Sequence, residues 1–323
     1  MRIRALRKVL VNVVVLVMAT ATGTALVGCG RNGGNSVGSS TGSSAGSSSG
    51  SSTSPPTGTA NPTAARQQVT LPIRGGQHFY PHDVAVDAQG TVFVTAVNEG
   101  VLKLAPGAQS AVPVGFTGLE FAVSGGVDAA GNVYVTDDGG TSGSKGRVQK
   151  RTPDGTQTEL PFTGLSQDPR LAVAADGTVY VADSSNNRVL KLAPGATNPS
   201  ELPFTGLKGP GYVTTDSAGN VYVSEVAYDH QGGNPRVLML AAGSTAQSVL
   251  PITTTDQRAI AVDSSGNVYL TGAQGVTVLA KGSQQTSQLP VSGNPQLLGI
   301  AVDTQGNIYL ADGNQDQILE LKA

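Results

Sequence analysis

One pattern recurs six times between Gln67 and Ala323 with a period near 43 residues, and it limits the chain to repeat architectures. The copies read VAVDAQGTVFVT from Val84, GGVDAAGNVYVT from Gly125, AVAADGTVYVAD from Ala172, VTTDSAGNVYVS from Val213, IAVDSSGNVYLT from Ile260 and IAVDTQGNIYLA from Ile300. Each joins a short apolar stretch, a turn of the Asp-x-x-Gly kind and an alternating Val-aromatic-Val stretch, which predicts a β-hairpin with period-two side chains. A third strand follows as VLKLAPG from Val101, RVLKLAPG from Arg188, RVLMLAAG from Arg236 and VTVLAKG from Val276. A fourth carries Leu-Pro, as in LPF from Leu160 and from Leu202. Four antiparallel strands in each repeat of this length make the blade of an all-β, six-bladed β-propeller.

The order of the strands predicts how the ring closes. A Leu-Pro strand, VTLPI from Val69, precedes the first hairpin, whereas the last repeat stops after its third strand, QILELK. The N-terminal strand should therefore complete the C-terminal blade, with residues 67–73 against residues near 317–322. Proline suits this outermost position, where a strand can spare an N–H donor.

The residues ahead of the repeats predict export. Arg2, Arg4, Arg7 and Lys8 precede an apolar run from Val9 to Val17, broken by Asn12. This is a charged region before a core too short to span a bilayer, as in a cleaved signal peptide. Leu26-Val27-Gly28-Cys29 resembles the lipobox of bacterial lipoproteins, which implies cleavage ahead of Cys29 and acylation of its thiol. Cys29 is the one cysteine in the chain, so no intramolecular disulfide can form. Residues 30–66 are almost entirely Gly, Ser, Thr, Asn, Pro and Ala, a composition that cannot bury enough apolar surface to order itself. As a flexible tether it would span about 35 Å. The expected organisation is a signal peptide at 1–28, a lipidated Cys and linker at 29–66, and a propeller at 67–323, held on the extracytoplasmic face of a cell membrane.

The propeller motifs resemble the NHL repeat. LPFTGL followed by GTVYVADSSNNRVLKLAPG from Gly177 is similar to the extracellular sensor propeller of actinobacterial membrane Ser/Thr kinases. That resemblance implies a sensor role, while no glycine loop with its Lys and no HRD or DFG element occurs in the chain. The Asn-Asn-Arg turn is missing at Ala273 to Gly275.

Charge and motif content exclude several activities. Removal of residues 1–28 would take away four of the twenty basic residues and none of the twenty-two acidic ones, leaving a formal charge of −6. So acidic a chain has no electrostatic footprint for nucleic acid. No HExxH, P-loop, dinucleotide fingerprint or Ser-His-Asp order is present. One carboxylate per turn supplies too few oxygens for calcium, so the turn acids are read as backbone acceptors and their glycines as positive-φ positions. The aromatics Phe93, Tyr134, Tyr180, Tyr222, Tyr269 and Tyr309 hold one equivalent position in every repeat, which argues for packing between blades.

A binding site on a pseudo-symmetric ring is expected where the repeats differ. Two loops between second and third strands are enlarged, from Asp137 to Arg147 and from Glu225 to Arg236. Both should rise on one rim, making Asp137, Asp138, Lys145, Arg147, Glu225, Tyr228, Asp229 and His230 candidate ligand contacts. The three histidines are His78, His82 and His230. His82 lies just before an innermost strand near a mouth of the central channel, with Arg170 and Arg258 at comparable places in other blades. The reading is a monomeric, non-catalytic module without cofactor or metal that binds a protein or cell-wall ligand. The alternative is a lactonase-like hydrolase or lyase with a divalent ion in the channel.

Overall fold

The computed structural model describes residues 66–73, 79–139, 145–225, 235–252 and 259–323, all within one compact unit that spans Gly58–Ala323. These residues form six four-stranded antiparallel sheets. Blade 1 runs from Pro81 to Pro113, blade 2 from Ala122 to Glu159 and blade 3 from Arg170 to Glu201. Blade 4 covers Pro210 to Val249 and blade 5 Ile260 to Leu289. Blade 6 combines Leu297–Val302, Ile308–Asp312 and Gln317–Leu321 with the N-terminal strand Gln68–Thr70. The fold is thus the six-bladed all-β propeller expected from the repeats. A single 3-10 turn, Ser184–Asn186, is the only helical segment among the described residues.

Ring closure follows the predicted register, with Gln68 opposite Leu321, Val69 opposite Glu320 and Thr70 opposite Leu319. Lys322 N donates to Gln67 O at 2.9 Å and Leu71 N to Ile318 O at 2.9 Å, which extends the pairing at both ends. Ile73, 1% exposed, then packs with Phe79, Val94 and Ile318 across the seam between blades 6 and 1.

The hairpin turns are built alike. Asp87, Asp128, Asp216, Asp263 and Asp303 each accept backbone N–H groups two and four residues on, at 2.7–3.0 Å. Blade 3 departs from the spacing: its acid is Asp176, directly before Gly177, and it accepts from Thr178 N at 2.8 Å. All six turn glycines have positive φ, from 78° at Gly131 to 87° at Gly266 and Gly306, where a side chain would be strained. In blades 2, 4, 5 and 6 the second carboxylate oxygen also takes an Asn amide and the hydroxyl of the strand tyrosine, as at Asp263 with Asn267 and Tyr269. Burial and the carboxylate beside it push these phenols up, Tyr222 to about 12.

The six strand aromatics are all buried, from 1% exposed at Tyr269 to 7% at Phe93 and Tyr222. Tyr134 packs with Leu171 and Val179 of blade 3, and Tyr222 with Ala261 and Val268 of blade 5. They are the interblade packing that their repetition implied.

Candidate functional site at the loop-face channel mouth

Strand direction sorts the connections onto two faces. Hairpin turns such as Asp87–Gly90, the first described residues Arg66 and Gln67 and the C-terminal Lys322 lie on one, the turn face. Connections from second to third strands, and from each blade to the next, lie on the other, the loop face. The innermost strands begin at the loop face, so their first residues surround that mouth of the channel.

Four residues before each turn stands a position that differs in every blade: Asp83, Ser124, Arg170, Tyr212, Ala259 and Gly299. Pairing with the second strand places them at one level, with Asp83 opposite Thr95, Arg170 opposite Ala182, Tyr212 opposite Ser224 and Gly299 opposite Ala311. In blades 1, 2, 4 and 6 the register shifts at this level, a bulge that re-aims the side chains.

Contacts join neighbours among these six around the mouth. Ser124 Oγ donates to Asp83 Oδ2 at 2.6 Å, and Val84 N donates to Asp83 Oδ1 at 2.9 Å. Gly125 N lies 3.4 Å from Oδ2. A Cβ on Gly299 would stand 2.6 Å from both Asp83 Cα and Oδ1, so only glycine admits Asp83 here. The Arg170 guanidinium lies 4.8 Å from the centre of the Tyr212 ring and pairs with Asp168 at 3.1 Å. Tyr212 reaches over the small Ala259 of blade 5 to donate to Leu298 O of blade 6 at 3.1 Å. Below the ring the channel encloses about 270 Å³, bounded by Asp83, Ser124, Tyr212 and Ala259 and by Val86, Val127, Val173, Val262 and Val302 farther down.

Electrostatics set the ring apart from the turns. Burial pushes the Asp83 carboxyl up to about 6, against the pull of Ser124, Arg170 and two backbone N–H groups. Burial and then the charge of Arg170 draw His82 down to about 4, so its imidazole is neutral at pH 7. His82 sits edge-on between Tyr80 and Phe121, each ring centre 5.3 Å away. Its Nδ1 is buried and has no hydrogen-bond partner among the described residues.

The bases of both enlarged loops are clamped. Asp137, fully buried, pairs with Arg147 at 2.7 Å and accepts Phe121 N at 2.7 Å. Glu225 pairs with Arg236 at 2.7 Å and accepts Lys208 N at 2.8 Å. The same clamp joins Asp183 to Arg188 at 2.8 Å in blade 3, where no insertion occurs. For Asp137 burial alone would raise the pKa, yet Phe121 N–H and Arg147 hold it below the usual carboxylate range. Asp137, Arg147 and Glu225 therefore support the loops from within their own blades. Asp138 is half-buried, with its N–H on Phe121 O at 3.1 Å, and Lys145 is exposed. Cys29, His78, Tyr228, Asp229, His230 and Arg258 lie outside the described residues.

The sequence reading singled out His82 and Arg170 but missed Asp83, Ser124 and Tyr212. It also set His82 and Arg170 at comparable positions, whereas the register makes Asp83 the counterpart of Arg170. Aligning the copies and asking which column varies most would have found the ring. A divalent ion does not fit the described residues: no three His, Cys, Asp or Glu side chains gather among them. Asp83 already accepts from Ser124 and the backbone.

The NHL repeat model matches residues 170–192, the three inner strands of blade 3. Among solved structures, virginiamycin B lyase from Staphylococcus aureus is 15% identical with a TM-score of 0.57, covering 80% of this chain and 98% of that one. A gluconolactonase from Xanthomonas campestris is 18% identical with a TM-score of 0.61, covering 80% and 91%. The nidogen/laminin complex contains a chain 18% identical with a TM-score of 0.61, covering 72% and 89%. At these identities the likeness shows the fold alone. Among curated proteins no sequence matches.

Proposed function

We propose that this chain is an extracytoplasmic lipoprotein whose propeller recognises a protein or cell-envelope ligand with its loop face, in a sensing role rather than a catalytic one. The observation that carries the reading is the polarity of the propeller. The chain enters it at Arg66, whose guanidinium reaches Gly306 O on the turn face, and Lys322 beside Gln67 is on that face too. The two enlarged loops leave from clamped bases on the opposite face. A tether from Cys29 would therefore reach the propeller by its turn face, and the enlarged loops stand on the face opposite that point of attachment. Two acyl chains or more on a lipoprotein Cys suffice for stable attachment.

The test compares the anchored wild type with a version whose Asp137–Arg147 and Glu225–Arg236 loops are shortened, by proximity crosslinking and capture in the native membrane. A specific partner lost with the loops supports the reading; a partner set unchanged by shortening contradicts it. Cys29→Ala should release a folded protein into the medium, and retention at the membrane would sink the anchor.

A second reading, a propeller hydrolase or lyase, draws on the lyase and lactonase among the similar folds. Lactone or lyase turnover by the purified protein that falls with Asp83→Asn would support it over the first.

A further inference from the structure

The third strands carry a repeated position of their own. The residue paired with the strand aromatic is lysine in three blades: Lys103 opposite Phe93, Lys150 opposite Tyr134 and Lys191 opposite Tyr180. The Lys150 ammonium stands 5.4 Å from the centre of the Tyr134 ring and that of Lys191 5.8 Å from the centre of Tyr180, both within reach of a cation–π contact. In these blades the tyrosine that packs on the next blade has a positive charge over its face. Blades 5 and 6 carry Val278 and Glu320 at this position, and Arg66 of the entering chain brings its charge beside Tyr269.

Blade 4 breaks the pattern. Met239 stands opposite Tyr222, uncharged and one atom shorter than lysine. Here a cavity of about 320 Å³ opens on the turn face between blades 4 and 5. Tyr222 and Met239 line it together with Leu250, Leu279 and the turn acids Asp216 and Asp263. Burial works against ionisation of Asp216, yet Asn220, backbone N–H groups and Tyr222 hold its carboxyl below the usual range. Among the described residues no basic side chain pairs with either acid. Lys281 also borders the cavity; it is exposed, and its stem lies along Gly266, where a Cβ would stand 3.2 Å from Lys281 Cδ.

We propose that this cavity seats a small alkylammonium, whose charged head takes the place that lysine fills in blades 2 and 3 and whose apolar part lies against Met239, Leu250 and Leu279. The face of Tyr222 and the two carboxylates favour a cation over a neutral or anionic compound of the same shape. Methionine, flexible and polarizable, adapts to the apolar part. The cavity lies on the face opposite the enlarged loops and shares no residue with them, so the proposal goes beyond the recognition reading and stands apart from it.

The experiment titrates the full-length protein, carrying methyl-labelled methionine, with butylammonium; butanol and butyrate are the controls. The three methionines are Met1, Met18 and Met239, so the propeller gives one methyl signal, assigned by its loss in Met239→Leu. A saturable shift of that signal with butylammonium is expected, with butanol and butyrate weaker by at least about tenfold, the loss of one charged contact. Saturation transfer to the ligand then compares the variants. Met239→Lys should abolish binding, because the new side chain carries its own charge into the seat. Lysine at this position already fits three blades, and an unchanged thermal midpoint checks that it fits the fourth. Met239→Leu should keep binding within a few-fold. Lys281→Gln, an exposed change, should tighten it several-fold by removing a like charge. Undiminished binding by Met239→Lys, unchanged binding by Lys281→Gln, or a response to butanol equal to that to butylammonium would overturn the proposal. Partner capture through the loops should be the same in Met239→Lys as in wild type, so failure here and failure of the rim reading are separately visible.

Discussion

The turn face and the loop-face mouth are made from the two ends of the same six innermost strands, yet they are built on opposite rules. On the turn face an acidic residue satisfies backbone N–H groups in every blade, a glycine takes positive φ, and in four blades an asparagine and a tyrosine complete the network. Four residues earlier six different residues stand at the equivalent positions, and contacts such as Ser124 to Asp83 and Arg170 to Tyr212 join neighbours among them. Repetition is what packing needs, because each blade must fit its neighbour in the same way. Difference is what recognition needs, because six equivalent positions can give an asymmetric site only if they diverge.

The largest effect that would sharpen this comparison comes from ring closure. Deleting residues 67–73 removes three strand pairs and buried Ile73. The loss of the isoleucine alone is worth roughly 2–5 kcal/mol. The thermal midpoint should fall far below that of a protein lacking residues 40–60, and equal midpoints would refute closure by the N-terminal strand.

Tyr269→Ala comes next. It empties a position 1% exposed and leaves Asp263 without the hydroxyl it accepts at 2.9 Å. A destabilisation of about 3–5 kcal/mol by chemical denaturation is expected. A cost below about 1 kcal/mol would mean that the aromatic ladder does not hold the blades together.

At the mouth, His82 and Asp83 should give opposite pH dependences. The folded pKa of His82 is about 4, below its ordinary 6.5, so its contribution is full above pH 6.5 and is lost as pH falls toward 4. The folded pKa of Asp83 is about 6, above its ordinary 3.8, so its contribution is full below pH 3.8 and is lost as pH rises through 6. Each is worth roughly 3 kcal/mol at most, and between pH 4 and 6 the two nearly cancel. Asp83→Asn should therefore make stability fall on acidification over that window, and His82→Gln should make it rise. Identical slopes in both variants, measured by urea denaturation at pH 4, 5, 6 and 7, would break the link between these two groups.

The smallest effect belongs to the enlarged loops. Shortening either between its clamp residues should change the midpoint by no more than about 0.5 kcal/mol equivalent, since loop length is thermodynamically cheap.

The fold was legible because its signals are local and repeated: an acid and glycine at each turn, an aromatic two residues into each second strand, and a Leu-Pro pair expected in each outer strand, whose proline the structure sets just past it, as at Pro161 after Gln157–Glu159 and Pro203 after Ser200–Glu201. Closure was legible from one extra Leu-Pro strand at Val69 and one missing after QILELK. The mouth was harder to read, because comparison of repeats rewards similarity and passes over the column that holds Asp83, Arg170 and Tyr212. Asp137, Arg147 and Glu225 looked like rim ligands because they flank insertions. The same acid and arginine at Asp183 and Arg188, around a short turn, were the sign that the pair clamps the strand ends. No sequence pattern announces that Tyr212 crosses Ala259 to reach Leu298, since that contact joins residues 86 apart.

The proposed division of labour between the two faces is tested most directly by one paired measurement on two proteins, Tyr269→Ala and the double loop-shortened form. Thermal midpoint and crosslinked partner set are recorded for both at a temperature where each is folded. The account predicts that Tyr269→Ala lowers the midpoint and keeps the wild-type partners, while loop shortening keeps the midpoint and loses them. Folded Tyr269→Ala without the partner, or the loop-shortened protein with it, would contradict the claim that the turn face holds the ring and the loop face does the recognising.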